Sequence, residues 1–342
     1  MATSAADEVR REPVEGRADQ GAAVRRRPFR FGLAPLETPT SKAAWQDLAR
    51  KAEALGYAVL TVGDHMGRSA APLPLLLSAA DATTTLRVGT HVLANDFRNP
   101  AVLAKEAATL DLLTDGRLEL GIGVGWPAGS AFASDYDEIG VTLAPPGTRL
   151  ARLGEALRIL RTYLTEDAPL DYRGTHYWVK GLLPYPRPAQ RPGPPLMVAG
   201  AGPQLLRLAA RYADIVNFAP RPPISGRTAT GSVGFGLTVA DQVDIVRQAA
   251  GDRFAAIELA TFSMAPVVTD ASDLGPVLDR FAAEYHTTPA IAREIPATLA
   301  GSVDALVERL QQHRDQLGLS YRIIGGGAME SFAPVVARLA GR

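Results

Sequence analysis

Two histidines and two glycine-rich turns stand where this sequence can move protons and cradle a flat ligand. Asp64-His65 follows the apolar run 58–63. An imidazole donates or accepts a proton near neutral pH. The adjoining carboxylate can orient it or meet a ligand edge; a pair that merely caps a strand end is the plainer alternative. Thr90-His91-Val92-Leu93-Ala94-Asn95 closes a second apolar run, where His91 either fills an interior or serves a ligand. Gly121-Ile122-Gly123-Val124-Gly125-Trp126 closes a third. Alternating glycines let backbone come close to a ligand because no Cβ intervenes. Trp126 can stack on a ring, wall a pocket or sit in a core. Ala199-Gly200-Ala201-Gly202-Pro203 runs into a helix, which makes an anion site from small residues, N–H groups and a positive helix end.

Other chemistries lack their residues. The chain has no cysteine, which excludes disulfides, thiolate catalysis and Cys-ligated metals. Glu258, His286 and His313 do not fall at metal-ligand spacing, and neither His-Glu-x-x-His nor Gly-x-Ser-x-Gly occurs; no metal is expected. Gly200 and Gly202 imitate a dinucleotide fingerprint, but Leu205 stands at the third glycine and no acid follows at about 20 residues. Lys+Arg and Asp+Glu are both 36, so the net charge is zero and a dedicated nucleic-acid or polybasic membrane role is disfavoured. No apolar run approaches the ~20 residues that span a bilayer. A reducing cytoplasm is compatible with this composition.

The elements that must position these residues alternate between strand and helix. Strands are expected over 29–35, 58–63, 86–93, 117–124, 196–199, 214–218, 255–264 and 321–324. Helical spacing is expected over 45–55, 73–82, 100–113, 148–164, 203–212, 273–287 and 302–317, with a last helix after Gly325-Gly326-Gly327. Eight strands with helical connections over 342 residues fit a closed parallel (β/α)8 TIM barrel. A doubly wound sheet is the competitor. Residues 1–27 contain no aromatic, Leu or Ile and read as a disordered tail, leaving one domain over 28–342. Within it, 165–194 reads as an insertion with a small hairpin and 219–236 as a mobile loop carrying Arg221 and Arg227.

The order Asp-His, Arg-Asn-Pro, Asp-Gly-Arg, Gly-Val-Gly-Trp, Gly-x-Gly-Pro and a late Leu-x-Gly-Ser (299–302) resembles the luciferase-like flavin and deazaflavin oxidoreductases over residues 29–342. That resemblance implies a (β/α)8 barrel with its ligand at the C-terminal strand ends. It implies coenzyme F420 as cofactor, with FMN as the alternative. It places a non-prolyl cis peptide at His91–Val92, in a bulge of Val92, Leu93, Ala94 and Asn95 that backs the ring. The cofactor phosphate falls at Ala199, Gly200, Ala201, Gly202 and Pro203, and further cofactor contacts fall at Asp64, His91, Gly123, Gly125 and Trp126. His65, with Asp64, becomes the acid–base group. Relatives that oxidise sugar phosphates carry Glu where Trp126 stands, so their mechanism does not transfer whole. Arg149 and Glu155 match family residues on one helix and otherwise read as surface ion-pair partners.

The leading expectation is therefore an F420-dependent oxidoreductase that moves hydride between the cofactor and a small organic substrate. The alternatives are an FMN-dependent monooxygenase fed by a separate reductase and a flavin-binding barrel without turnover. A phosphate-binding aldolase or isomerase is disfavoured because no Lys lies near an expected strand end. A cytoplasmic homodimer, with a flavin or F420 reductase as partner, completes the expectation.

Overall fold

The apolar runs pair in parallel and close into a ring. The computed structural model of the chain describes residues 26–67, 69–126, 130, 132–219 and 237–342. The eight barrel strands are β1 (Arg30–Ala34), β2 (Val59–Val62), β3 (Arg87–Thr90, prolonged by Leu93–Ala94), β4 (Leu118–Gly123), β5 (Leu196–Gly200), β6 (Ile215–Phe218), β7 (Glu258–Ser263) and β8 (Leu319–Gly325). Each pairs in parallel with the next in chain order, and β8 returns to β1 from Tyr321 opposite Arg30 to Gly325 opposite Ala34. The chain is a (β/α)8 barrel, and the doubly wound alternative is excluded by this closure.

Helices α1 (Lys42–Ala54), α2 (Pro72–Asp81) and α3 (Pro100–Leu113) follow the first three strands. Ser41 and Asn99 cap α1 and α3 by accepting the Ala44 and Ala101 N–H groups. A short α4 (Ser134–Glu138) and the long α5 (Pro146–Thr165) follow β4, and α6 (Pro203–Tyr212) follows β5. Three more elements, α7 (Val239–Ala250), α8 (Leu274–Glu284) and α9 (Pro289–Glu294), precede α10 (Val303–Leu317) and α11 (Met329–Leu339). No element was expected over α7 or α9. The start of α7 is nevertheless written in Thr238 and Asp241, whose side chains bond each other's backbone in a capping box. The insertion forms the expected hairpin, Leu170–Arg173 antiparallel to Trp178–Leu182. Among the described residues no helix is long and apolar enough to cross a membrane.

Alternation along the strands sends one set of side chains outward to the helices and the other into the barrel. The outward set forms the main core: Phe31 and Leu33 of β1, Leu60 of β2, Leu118, Leu120 and Ile122 of β4, with Trp45, Leu103, Leu157 and Phe332 from the helices. The inward set forms a smaller cluster of Ala34, Val59, Met197, Ile215, Ala260, Tyr321 and Ile323. Charge plugs the N-terminal end of the barrel. There Arg30 bridges Glu119 (2.7 Å) and Glu258 (2.9 Å), and Arg87 Nε meets Glu119 at 2.7 Å. Burial opposes ionisation of Glu119, but Arg30 and Arg87 win and hold it below the usual carboxylate range. A cavity of about 290 Å³ opens at this end, lined by Arg27, Arg30, Arg87, Glu119 and Glu258. It lies opposite the strand ends where such barrels do chemistry.

Candidate active site at the C-terminal mouth

The mouth is shaped by an extra residue in β3. Val88 lies opposite Leu118 but Leu93 lies opposite Ile122, so β3 carries one more residue than β4 between those pairs. The His91–Val92 peptide within this bulge is cis. Thr90 stitches the bulge down: its Oγ1 donates to the Gly121 carbonyl at 2.7 Å and accepts the Gly121 N–H at 2.8 Å. A Cβ on Gly121 would lie 2.1 Å from the Thr90 carbonyl oxygen, and one on Gly123 would lie 3.0 Å from Val92 Cγ2. The space these glycines free is thus occupied by the bulge itself. Gly125 serves a different neighbour: its φ is +72°, and a Cβ there would lie 2.0 Å from Tyr136 Oη.

Asp64 and His65 turn to different partners. The Asp64 carboxylate is buried, accepts the Ala94 N–H at 3.0 Å and takes both ends of the Arg98 guanidinium, at 2.5 and 2.9 Å. Asp64 therefore ties β2 to the far side of the bulge, and the orienting contact expected between it and His65 is not made. His65 instead places Nδ1 at 3.3 Å from Oδ2 of Asp135 on α4. Its ring stacks on Trp126 (centroids 5.0 Å, planes 24° apart) and meets Phe132 at 4.4 Å. With 26% of its side chain exposed, His65 faces the mouth from a fixed orientation.

His91 lies deeper. Its Nε2 contacts the amide nitrogen of Asn217 on β6, and its ring meets Phe262 of β7 edge-on at 5.1 Å. Burial lowers its pKa to about 4, so it is neutral across the physiological range. Leu93 and Ala94 are buried and paired to β4, whereas Val92 stays half-buried at the mouth. Asn95 is buried, and its amide donates to Tyr177 Oη of the hairpin at 3.1 Å. The Oδ1 atoms of Asn95 and Asn217 are buried without a hydrogen-bond partner. At the end of β5, Ala199, Gly200, Ala201 and Gly202 are half-buried and Pro203 opens α6, whose first N–H groups no side chain caps. A Cβ on Gly200 would strike Leu205 Cδ2 at 2.2 Å. An uncapped helix start and two orphaned amide oxygens around one open mouth fit a ligand with both phosphate and donor groups.

Arg149 and Glu155 are not surface ion-pair partners. Arg149 is buried and donates to the carbonyls of Val124 (2.6 Å), Trp126 (2.9 Å) and Ala144 (3.0 Å), which pins the segment leaving β4. Glu155 accepts the backbone N–H groups of Thr175 (2.8 Å), His176 (3.0 Å) and Tyr177 (3.0 Å). Burial opposes ionisation there, but those donors prevail and lower its pKa. Together with Asn95 to Tyr177, this fastens the insertion to the barrel rim. Arg221 and Arg227 lie outside the described residues, as do positions 220–236 of the expected loop and 1–25 of the expected tail.

Residues 28–232 match the family model described as luciferase-like monooxygenase. The chain belongs to that family. It is 32% identical over 191 residues to 4-hydroxyprotoasukamycin monooxygenase of Streptomyces nodosus subsp. asukaensis, a match covering 54% of the chain and 49% of the relative. The chain thus spans about half the length of that relative. It is 29% identical over 311 residues to an F420-dependent glucose-6-phosphate dehydrogenase of Microbacterium testaceum (strain StLB037), covering 84% and 89% respectively. Among solved structures, an F420-dependent secondary alcohol dehydrogenase in complex with an F420-acetone adduct superposes with a TM-score of 0.68. At 19% identity it covers 91% of this chain and 99% of that one, which shows a shared fold.

Within this luciferase-like barrel, sequence reasoning missed Asp135, Phe132 and Asn217. Asn217 carried a signal: it is a lone amide inside the apolar strand Ile215-Val216-Asn217-Phe218. Asp135 carried none. It stands 70 residues from His65 in an acidic run that otherwise reads as solvated surface.

Proposed function

We propose that this chain is a coenzyme F420-dependent oxidoreductase acting on a small organic substrate, with His65 as proton donor or acceptor. The observation that carries the reading is the fixed, partly exposed His65 ring at the mouth, held by Asp135 and stacked on Trp126. When bound, the deazaflavin supplies the hydride chemistry. The protein supplies the rest. The β5 turn and the start of α6 hold the phosphate, and the bulge of Val92, Leu93, Ala94 and Asn95 supports the ring system. His91 stays neutral, which keeps an unpaired positive charge from the floor of the mouth. Trp126 and Phe132 wall the substrate and limit water around the imidazole. Asp135 keeps the imidazole Nδ1 engaged and leaves Nε2 for proton transfer.

The similarity to an F420-dependent dehydrogenase across most of both chains supports the deazaflavin. The similarity to a monooxygenase favours a second reading, FMN-dependent oxygenation with a separate reductase. Titration of the protein with F420 and FMN, each oxidised and reduced, separates them. Selective F420 binding with substrate turnover under reduced F420 is the expected result, and selective binding of reduced FMN overturns it. His65→Ala should lower kcat by about 10²–10⁴-fold with cofactor affinity retained, which is the usual range for losing a general acid–base group. Turnover equal to the parent's would remove His65 from the mechanism.

A further inference from the structure

A second set of chemistry-bearing side chains lies outside the barrel wall, far from the mouth in role and surroundings. Tyr321 and Ile323 of β8 point into the barrel, so Arg322 between them points outward into the layer under α10. Arg322 is 0% exposed. Its Nη2 donates to the Pro296 carbonyl, while Nε and Nη1 meet no acceptor. Arg309 and His313 stand one helical turn apart on α10, and the Arg309 charge acts on both His313 and Arg322. Arg309 Nε and His313 Nδ1 also lack partners. Thr261 of β7, directly opposite Arg322 in register, has a buried hydroxyl with no partner, and so do Ser320 and Thr298.

Apart from His313 Nδ1, which donates or accepts according to the tautomer, these unpartnered groups are guanidinium donors and hydroxyls. Among the described residues no ion pair within 4.0 Å involves Arg309 or Arg322. The carboxylate that Arg309 does feel is Glu294, which is exposed, and Arg293 beside it opposes that attraction. Burial, with Arg309 adding to it, lowers the Arg322 pKa only to about 9, so the guanidinium stays charged at neutral pH. Burial and the two guanidiniums lower His313 to about 2, so that ring is neutral. A buried cation without a counter-charge is expensive, and buried donors are normally satisfied.

We infer that the layer between β7, β8 and α10 binds a monovalent anion of the chloride and bromide class, too weakly hydrated to be matched by fluoride, held by Arg322 and Arg309 with the Thr261 hydroxyl. One negative charge balances the buried guanidinium, with Arg309 shared between the anion and Glu294. A multiply charged oxyanion would overshoot that balance in a layer where Arg322, Thr261 and Ser320 have no exposed surface. The site is independent of the proposed hydride chemistry, so its test does not depend on turnover.

The test is thermal unfolding of the full chain in chloride, bromide or fluoride at constant ionic strength, with bromide-soaked crystals measured at the bromine absorption edge. The parent should gain about 4 °C at a hundredfold excess of chloride or bromide over Kd. Arg309→Met, at the half-exposed edge of the layer, should lose that gain, and an anomalous peak should lie beside Arg322. Arg322→Met is the more direct variant but risks misfolding, so Arg309→Met carries the comparison. Equal melting in all three salts, an unchanged gain in Arg309→Met, or ordered water without a bromide peak would each overturn the site.

Discussion

Replacing Asp64 by Ala separates a structural carboxylate from a chemical one. The Asp64 side chain is 1% exposed and binds Arg98 at both oxygens, while Arg98 keeps 22% of its surface in water. Removing one partner of a buried pair costs about 3–5 kcal/mol, because the other charge is stranded. Water reaches Arg98, which pulls the expected loss to the lower end. The buried Ala94 N–H loses its acceptor as well, worth about 1–3 kcal/mol. The two losses share one side chain and do not add in full, so about 3–4 kcal/mol is expected. Asp64→Asn retains an oxygen for Ala94 but turns a donor towards Arg98, and should fall near half of that. Equilibrium urea unfolding at matched m-values measures both. His65→Ala, at the open mouth, should cost under about 1 kcal/mol in the same assay. If Asp64→Ala also cost under 1 kcal/mol, the clamp would carry no stability. If it abolished turnover with stability and cofactor affinity intact, Asp64 would belong to the chemistry and the assignment of roles to Asp64 and Asp135 would be reversed.

Two pH responses follow from groups elsewhere in the fold. Burial opposes ionisation of Glu53, but the N–H groups of Thr85, Leu86 and Thr84 lower its pKa to about 2, below the unfolded value. Its contribution is therefore present above about pH 4.5 and lost as pH falls towards 2. Glu53→Gln should lie about 1 kcal/mol below the parent at pH 6, discounted for water contact, with the gap closing in acid; a gap constant from pH 6 to 3 would refute it. His91, held near 4, binds its proton more weakly folded than unfolded, so stability falls as pH drops from about 6.5 towards 4. Between pH 7 and 5 the parent should lose about 1–2 kcal/mol more than His91→Gln. Parallel losses in the two proteins would show that His91 is not buried neutral.

Period and punctuation carried most of the fold. The strands over β1 to β8 and the helices α3 and α6 follow from apolar runs and from Asn99-Pro100 and Gly202-Pro203, since caps and prolines act within a few residues. No element was expected over α7, although the capping box of Thr238 and Asp241 marks its start. The partners in the site were harder to read. Asp64 and Arg98 are separated by 34 residues and His65 and Asp135 by 70, and no local rule pairs residues at that distance. The glycines were visible as bare backbone, but what fills the space beside them was not. That space depends on a bulge whose extra residue exists only relative to β4.

The pairing of His65 with Asp135 has a consequence for control of the mouth. The histidine rises from a barrel strand end, whereas its partner sits on the short α4. α4 is positioned by Tyr136, which packs where Gly125 leaves room, and by the chain that Arg149 holds at Val124 and Trp126. The residues that stack on His65, Trp126 and Phe132, belong to the same excursion from β4. One loop therefore supplies the orienting acid, the aromatic wall and the access to the imidazole. The barrel fixes where His65 stands, and the β4–α5 excursion fixes which way it points and what can approach it. Substrate preference is thus separable from the fold, because this excursion can change in length and composition while Asp64, Arg98 and Thr90 keep the bulge in place.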